Sequence, residues 1–411
     1  MPRSYPRLLP AVTSFLVALA VRLLWVADLP AYADARSLRR IFDGHERLYL
    51  DAFAQRGLAD ASPSFHPLLG HLAQALGAWT SDPRALLLMS AIAGAWVAAA
   101  VSLWTSRHAR PVAGLWAGLL AALHPGLAAW STSYYPVILP LALLAGALVA
   151  RRPTVTALLC FGAGLLRPEL GLLSIVCGRP GLAGWAGAAS WVAWLGAPPV
   201  GASLENLGVV LQLNLPLVEF LGPPVLALGL LGLGAPRGAL LAACAVGVHL
   251  LGCGFDDYGT RHALLGGAAL CALGGVAAAR QGALLGVLLV AGMATRTAEM
   301  ADRWVHPADL AAAAQALPPP DRGRCQEVGD EPILEGQAVP SHLSLWRDPV
   351  PEGACVLWGE EGQHRAWSSR GLADRAARMR LHYAPRPVAA ERVPGGWRLY
   401  HQLQNLPPER P

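Results

Sequence analysis

The apolar residues of this chain are gathered into long blocks, which clusters of arginine, aspartate or proline separate. Blocks of this kind are typical of helices that cross a bilayer repeatedly. The first block is Leu8–Asp28, and ten further candidate spans follow it: Ala85–Thr105, Val112–Ala128, Pro136–Ala150, Thr154–Leu166, Pro168–Cys177, Leu182–Pro198, Pro216–Leu233, Gly238–Gly252, Ala263–Ala279 and Gly282–Thr295. Several are shorter than the roughly 20 residues of a full crossing, so they need bilayer thinning or shielding by neighbouring helices. The pattern predicts an α-helical polytopic membrane protein with about 11 transmembrane helices.

The first block admits two interpretations. Ala31-Tyr32-Ala33 imitates a signal-peptidase site, which would make the block a cleaved signal peptide. The block is long, however, and Arg22 interrupts it. Because the chain that follows is itself membrane-embedded in this interpretation, an uncleaved first helix with a cytoplasmic N-terminus is favoured.

The segment Thr154–Cys177 is either one long helix or a hairpin of two short helices that breaks at Arg167-Pro168. Cytoplasmic loops carry an excess of arginine and lysine, and this rule favours the hairpin. With the hairpin, seven arginines face the cytoplasm: Arg107, Arg110, Arg151, Arg152, Arg179, Arg237 and Arg280. The sequence therefore predicts a cytoplasmic N-terminus and an extracytoplasmic C-terminus.

Residues 29–84 form a large first outer loop in this topology. Charged and apolar positions alternate at helical spacing from Asp34 to Arg56, which predicts an amphipathic helix on the outer membrane face. The apolar run His66–Trp79 is short for a crossing and favours a helix that dips into the interface.

Composition changes abruptly near residue 300. Residues 300–411 carry many charges, and their apolar runs are too short to cross a membrane. Ala354–Trp358 and Trp397–Tyr400 have the pattern of strands, and Gly371–Tyr383 that of a helix. We therefore expect residues 1–299 to form a transmembrane domain and residues 300–411 a small extracytoplasmic soluble domain of the α/β or α+β class.

The composition agrees with this division and excludes several protein classes. The chain is 54% hydrophobic and 14% charged, with a mean hydropathy of +0.40, which argues against a soluble enzyme, a disordered chain or a disulfide scaffold. All 32 basic residues are arginine, and the net charge of +5 belongs to membrane edges rather than to a nucleic-acid-binding face. No nucleic-acid partner is expected.

Cysteine and metal motifs are sparse. Of the seven cysteines, Cys325 and Cys355 lie in the predicted outer domain, where an oxidising compartment would permit a disulfide that spacing cannot establish. The chain has no Cys-x-x-Cys, no His-Glu-x-x-His and no phosphate-binding loop ending in lysine. No cofactor is assigned, and a divalent metal stays an open alternative.

Ionisable and tyrosine side chains converge on the predicted outer face: Asp34, His66, Arg84, Tyr134, Tyr135, Arg167, Glu169, Glu205, Asp256, Asp257, Tyr258, Arg261 and His262. Ionisable groups at the edge of the hydrocarbon are costly and indicate a functional site. Arginine forks bind phosphate oxygens, and a nearby carboxylate can remove a proton from a hydroxyl group. The set suits transfer of a group from a lipid phosphate.

Several motifs occur in an order that resembles the GT-C membrane glycosyltransferases, the class that contains the protein O-mannosyltransferases and the bacterial aminoarabinose transferases. The resemblance covers roughly residues 10–200 and more loosely reaches residue 298. The motifs are Tyr32-Ala33-Asp34-Ala35-Arg36, His66-Pro67-Leu68-Leu69, Asp82-Pro83-Arg84, His124-Pro125, Trp130-Ser131-Thr132-Ser133-Tyr134-Tyr135-Pro136 and Leu165-Leu166-Arg167-Pro168-Glu169.

The resemblance implies a GT-C-type helix bundle and an inverting transferase of a bacterial inner membrane. The donor would be a polyprenyl-phosphate sugar, and the acceptor a lipid, a glycan or a protein at the outer face. Asp34 would be the catalytic base. The residues implied in donor-phosphate or substrate binding are His66, Arg84, Tyr135, Arg167, Glu169, Asp257 and Arg261.

Structural interpretations of the same residues stay open. Asp34 would cap the amphipathic helix that follows it, and His66 would open the interfacial helix. Arg84 would mark the entry of a span, and Arg167 would lie in a solvated turn. A transporter or lipid flippase is the alternative function, and a non-catalytic membrane scaffold is a third.

Overall fold

The computed structural model describes residues 5–27, 44–54, 67–134, 136–195, 264–303, 317–319, 326–328, 356–361, 383–393 and 396–405. Most of them are helical. The α-helices are α1 (Tyr5–Ala27), α2 (Gly44–Phe53), α3 (Pro67–Trp79), α4 (Arg84–His108), α5 (Pro111–Ala122), α6 (Pro125–Trp130), α7 (Ile138–Val149), α8 (Pro153–Leu166), α9 (Pro168–Leu173), α10 (Leu182–Leu195), α11 (Leu264–Gln281) and α12 (Ala283–Arg303). Two 3₁₀ turns, Ser174–Cys177 and Arg179–Gly181, join α9 to α10.

Proline sets the beginning of several helices. Pro111, Pro153 and Pro168 each occupy the first turn of a helix, and the preceding arginine is extended in each case. Proline's fixed φ suits the first helical turn, while its ring disfavours helical geometry at the residue before it. The Arg-Pro dipeptides of the sequence therefore separate α4 from α5, α7 from α8 and α8 from α9.

Helix α4 lies at the centre of the helical packing and contacts α1, α5, α7 and α11. Its buried face is built largely from alanine, glycine and serine. Small residues allow helix backbones to approach closely. At Gly118 of α5, for example, an added Cβ would come 2.6 Å from the Ser102 Cβ of α4. Further from α4, α7 packs on α8, and α8 and α9 pack on α10.

The break at Arg167 lies where the sequence predicts it. Helix α8 ends at Leu166, Arg167 is extended, and α9 begins at Pro168. Helix α9 and the following 3₁₀ turn together cover only residues 168–177, which is shorter than a full crossing.

The predicted span Val112–Ala128 is wrong as a single helix. Helix α5 ends at Ala122 and α6 begins at Pro125, so His124 lies between two helices. Pro125 starts α6 because it cannot continue the hydrogen-bonded ladder of α5.

Within the ranges that the structure describes, two helices, α4 and α11, are long and apolar enough to cross a membrane by length and composition. Shorter apolar helical stretches are Leu8–Leu24, Pro111–Ala122, Ile138–Val149, Pro153–Leu166, Pro168–Cys177 and Ala283–Thr295. Of the predicted spans, Pro216–Leu233 and Gly238–Gly252 lie outside the described residues.

The chain separates into two compact units, residues 1–29 with 52–298, and residues 30–51 with 299–411. The second unit contains β1 (Gln326–Val328), β2 (Val356–Glu361), β3 (Tyr383–Val393) and β4 (Gly396–Asn405) in the order β1-β2-β4-β3. The β1–β2 pair is parallel and the other pairs are antiparallel.

The strands predicted near residues 354–358 and 397–400 correspond to β2 and β4. Residue Tyr383, the end of the predicted helix Gly371–Tyr383, instead begins β3, and the rest of that helix lies outside the described residues. Cys325 and Cys355 also lie outside them, so their disulfide stays a prediction.

Candidate functional site

The break between α5 and α6 leaves backbone carbonyls that a continuous helix would have used. Side chains from two other helices bind them. The Arg22 Nη1 of α1 donates to the Ala122 carbonyl at 3.0 Å, and Thr297 Oγ1 of α12 donates to the Leu123 carbonyl. Non-helical backbone inside an apolar helical body requires such partners.

His124 caps the beginning of α6. The Leu127 N–H donates to His124 Nδ1 at 3.2 Å, so the neutral ring carries its proton on Nε2. The ring is fully buried, and an added Cβ at Gly267 of α11 would come 2.7 Å from Nε2. Glycine at position 267 therefore lets α11 approach the imidazole.

A run of polar side chains, Ser131–Tyr134, follows α6 and is buried throughout. Ser131 Oγ donates to the Leu127 carbonyl, and Thr132 Oγ1 donates to the Ala128 carbonyl at 3.1 Å. These bonds hold two hydroxyls against the last turn of α6. Residues 130–134 of the sequence motif are thus an internal corner of the helical unit.

Arg22 is the buried charge that the sequence analysis did not identify as a site residue. Its side chain has no exposed surface, and its Nη1 donates to the carbonyls of Ala18 at 2.9 Å and Ala122 at 3.0 Å. Its Nε and Nη2 have no hydrogen-bond partner within the described part of the chain. The sequence feature that could have identified it is the presence of a single arginine inside the first apolar block.

The second buried charge is Arg167, at the break between α8 and α9. Its Nη2 lies 2.5 Å from Glu169 Oε1, and the two side chains are only 7% and 19% exposed. The structure therefore excludes the solvated-turn interpretation of Arg167. It brings two predicted site residues together, and Glu169 sits in the first turn of α9, where a carboxylate is favoured by the helix dipole.

Arg84 begins α4 and forms an exposed ion pair with Asp82. Its Nε lies 2.9 Å from Asp82 Oδ2, and its Nη2 lies 2.8 Å from the same oxygen. The hydrogen bond from the Arg84 guanidinium holds the pKa of the Asp82 carboxyl below its ordinary value. Helix α4 also packs on α6, the helix that precedes the corner.

An apolar groove of about 850 Å³ runs along α4 from Ala85 to Leu103. At about 1.5 Å per residue this length is roughly 27 Å. The groove is lined by Leu76 of α3, by Ala85, Leu88, Met89, Ile92, Ala93, Trp96 and Leu103 of α4, by Leu139, Ala142, Leu143, Gly146 and Val149 of α7 with Ala150, and by Val155 and Leu159 of α8. One end lies beside Arg84, because Ala85 is its neighbour in the chain.

The remaining predicted site residues lie outside the described part of the chain. They are Asp34, His66, Tyr135, Asp257 and Arg261. The described residues form no group of three or more His, Cys, Asp or Glu side chains placed to hold a metal ion.

Comparisons with family models, with curated proteins and with solved structures found no match for this chain.

Proposed function

We propose that this chain is a polytopic protein of a bacterial inner membrane. Leucine side chains on the outside of three helices support this: Leu9 of α1 is 70% exposed, Leu158 of α8 is 71% exposed and Leu284 of α12 is 74% exposed. Leu8, Leu16, Leu23 and Leu24 of α1 are exposed as well, so this one helix exposes five leucines. In a bilayer these side chains contact lipid tails. The proposal keeps about 11 spans, with the C-terminal unit in the extracytoplasmic compartment.

Within that membrane the chain transfers a sugar from a polyprenyl-phosphate donor to a lipid, glycan or protein acceptor. The observation that carries this proposal is the apolar groove beside α4. Its lining offers no hydrogen-bonding side chain other than the Trp96 indole, so it suits an isoprenoid chain. Its length matches much of the bilayer's hydrocarbon thickness, which is about 30 Å.

Arg84 supplies a cation at the end of the groove. A lipid lying in the groove with its head group at Ala85 places its phosphate near the Arg84 guanidinium. The pair with Asp82 is exposed, and exposed ion pairs contribute little, so Arg84 can exchange this carboxylate for a phosphate. The resemblance to the GT-C class gives the same residue a phosphate-binding role.

The reaction needs a base, and Asp34 has that role in the proposal. Its carboxylate removes the proton from the acceptor hydroxyl while the hydroxyl oxygen attacks the anomeric carbon. The bond from that carbon to the phosphate oxygen breaks, and the lipid phosphate leaves with the electron pair. Attack from the opposite side inverts the configuration, and the proton passes from Asp34 to water. The proposed substrate-binding set is completed by His66, Tyr135, Arg167, Glu169, Asp257 and Arg261.

Replacing the proposed base tests this function. Asp34→Asn keeps the size of the side chain and caps a helix about as well as aspartate, but it cannot accept the proton. We expect sugar transfer from a polyprenyl-phosphate donor to fall by about 10² to 10⁴ in rate. The measurement is transfer of labelled sugar in membranes that contain equal amounts of each variant.

The matched control is Asp60→Asn, which removes a carboxylate from the same predicted loop. It should leave the rate unchanged. If Asp34→Asn transfers sugar at the wild-type rate, the base must be sought among Asp43, Glu169, Asp256 and Asp257.

A transporter is the second candidate, because Arg22 is buried beside a helix break. Transporters place their substrate sites at interrupted helices, and charges inside a membrane mark substrate pathways. The two functions differ in what the purified protein does in detergent. A transferase converts its substrates there, whereas a transporter shows activity only as flux across the membrane of sealed vesicles.

A further inference from the structure

Arginine has five N–H donors on three nitrogen atoms, and the hydrogen bonds of Arg22 use only one of these atoms. Nη1 serves the Ala18 and Ala122 carbonyls, while Nε and Nη2 have no partner in the ranges that the structure describes. Nε and Nη2 form one side of the planar guanidinium, which is the fork that carboxylate and phosphate groups bind with two parallel hydrogen bonds. The donors that lack partners therefore form one complete bidentate fork.

Within the described ranges, neither of the two ion pairs around the helical unit involves this fork. Asp82 is paired with Arg84, and Glu169 is paired with Arg167. The guanidinium is charged at neutral pH, and a buried charge without a counter-ion is strongly unfavourable. An anion at the fork would remove this cost.

Gly94 and Ser131 lie beside the fork. A Cβ added to Gly94 would stand 2.8 Å from the Arg22 Nε and would collide with the Ser131 hydroxyl. Glycine at position 94 thus lets α4 approach both the Arg22 Nε and the Ser131 side chain, which lies next to it. Ser131 Oγ now donates to the Leu127 carbonyl, and a rotation about χ1 would turn its O–H toward a group bound at the fork.

We propose that the Nε–Nη2 edge of Arg22 binds a phosphate group inside the helical unit, as a site distinct from Arg84. Phosphate fits because it accepts the two parallel bonds of the fork and has further oxygens for the Ser131 hydroxyl. Since Arg22 is fully enclosed, binding requires the packing around the fork, which includes the Ser131 side chain, to open. The phosphate comes from a lipid or from solution, and this inference does not depend on sugar transfer.

Binding to the purified full chain tests the proposal, with inorganic phosphate and farnesyl phosphate as separate probes. We expect saturable binding by the wild type and binding weaker by about tenfold or more in Arg22→Gln and Arg22→Lys. Lysine keeps the charge and loses the fork, so equal binding by Arg22→Lys would overturn the bidentate site. Tighter binding of farnesyl phosphate would indicate a lipid source, and equal affinity a source in solution.

The matched control is Arg107→Gln. Arg107 Nη1 donates to the Val149 carbonyl at the end of α7 at 2.5 Å, much as Arg22 Nη1 donates at the end of α5. If this variant loses phosphate binding as strongly as Arg22→Gln, the effect belongs to helix capping and the proposal is wrong. Absence of saturable binding by the wild type would overturn it as well.

A measurement on the wild type alone covers the case in which the Arg22 variants do not fold. Selenate has the shape of phosphate, and its selenium can be located in crystals by anomalous scattering. We expect a selenium position whose oxygens reach Nε and Nη2 of Arg22. Selenium found only at other positions, or at none, would overturn the proposal.

Discussion

At the scale of single residues, arginine side chains in the helical unit bind backbone carbonyls and carboxylates. Arg107 donates to the Val149 carbonyl, Arg22 donates to the Ala122 carbonyl, and Arg167 pairs with a carboxylate. The guanidinium stays charged in all three settings, so each one needs an acceptor. A chain whose basic residues are all arginine can place them inside a helical body only where such acceptors exist.

The buried pair Arg167–Glu169 should matter more for stability than the exposed pair Asp82–Arg84. Glu169→Gln removes the counter-charge of an arginine that is only 7% exposed, and we expect a loss of about 3 kcal/mol in the free energy of unfolding. Asp82→Asn, the matched control at a pair more than 40% exposed, should cost less than about 1 kcal/mol. Unfolding of both variants in detergent measures the difference. Equal losses would show that burial does not set the strength of these pairs.

Arg167→Lys separates a binding role from a structural one. Lysine still pairs with Glu169 but cannot form a bidentate fork with a phosphate. If Arg167 binds the donor phosphate, the KM for the polyprenyl-phosphate donor should rise by about tenfold while the protein stays folded. An unchanged KM with lowered stability would assign Arg167 to the α8–α9 break alone.

At the scale of helices, the corner between α5, α6 and α7 depends on close approach. Gly94 of α4 faces both Arg22 and Ser131, and Gly267 of α11 faces His124. Side chains at these two positions would push α4 and α11 away from the corner. The capping bonds from Arg22 and His124 require that the helices stay at this separation.

Gly94→Ala tests this packing. The added methyl group would overlap the Ser131 side chain, and overpacking of this kind costs about 1–3 kcal/mol. Gly292→Ala is the matched control, because nothing lies within 4 Å of an added Cβ in α12. Alanine there should be neutral or should stabilise the helix by up to about 1 kcal/mol. Thermal unfolding of the two variants measures both effects, and a destabilising Gly292→Ala with a neutral Gly94→Ala would contradict the packing.

At the scale of the whole molecule, the proposed topology is open to a direct test. A reporter fused after Arg152, Arg179 or Arg280 should report the cytoplasm, and one fused after Met300 should report the outer compartment. Outward readings at Arg179 and Arg280 would mean that α8 and α9 do not form a hairpin that returns the chain to the inner face.

The sequence determined the element boundaries where local chemistry is strong. Arg-Pro dipeptides predicted the break at Arg167, and the long apolar run at residues 85–105 predicted α4, which extends over Arg84–His108. These features depend on backbone geometry and on local hydrophobicity, which neighbouring residues in the chain fix. The break within residues 112–128 was missed, although His124-Pro125 carries the same proline signal inside an apolar run.

Tertiary structure decided what the buried polar residues do. Sequence placed Arg22 inside an apolar block, but only the packing of α1 against α4 and α5 shows that it binds the end of α5. The same holds for Arg167, which a local pattern could equally assign to a solvated turn. Burial and hydrogen-bond partners arise from residues far apart in the chain, such as positions 22 and 122, and periodicity along a sequence contains no information about those pairs.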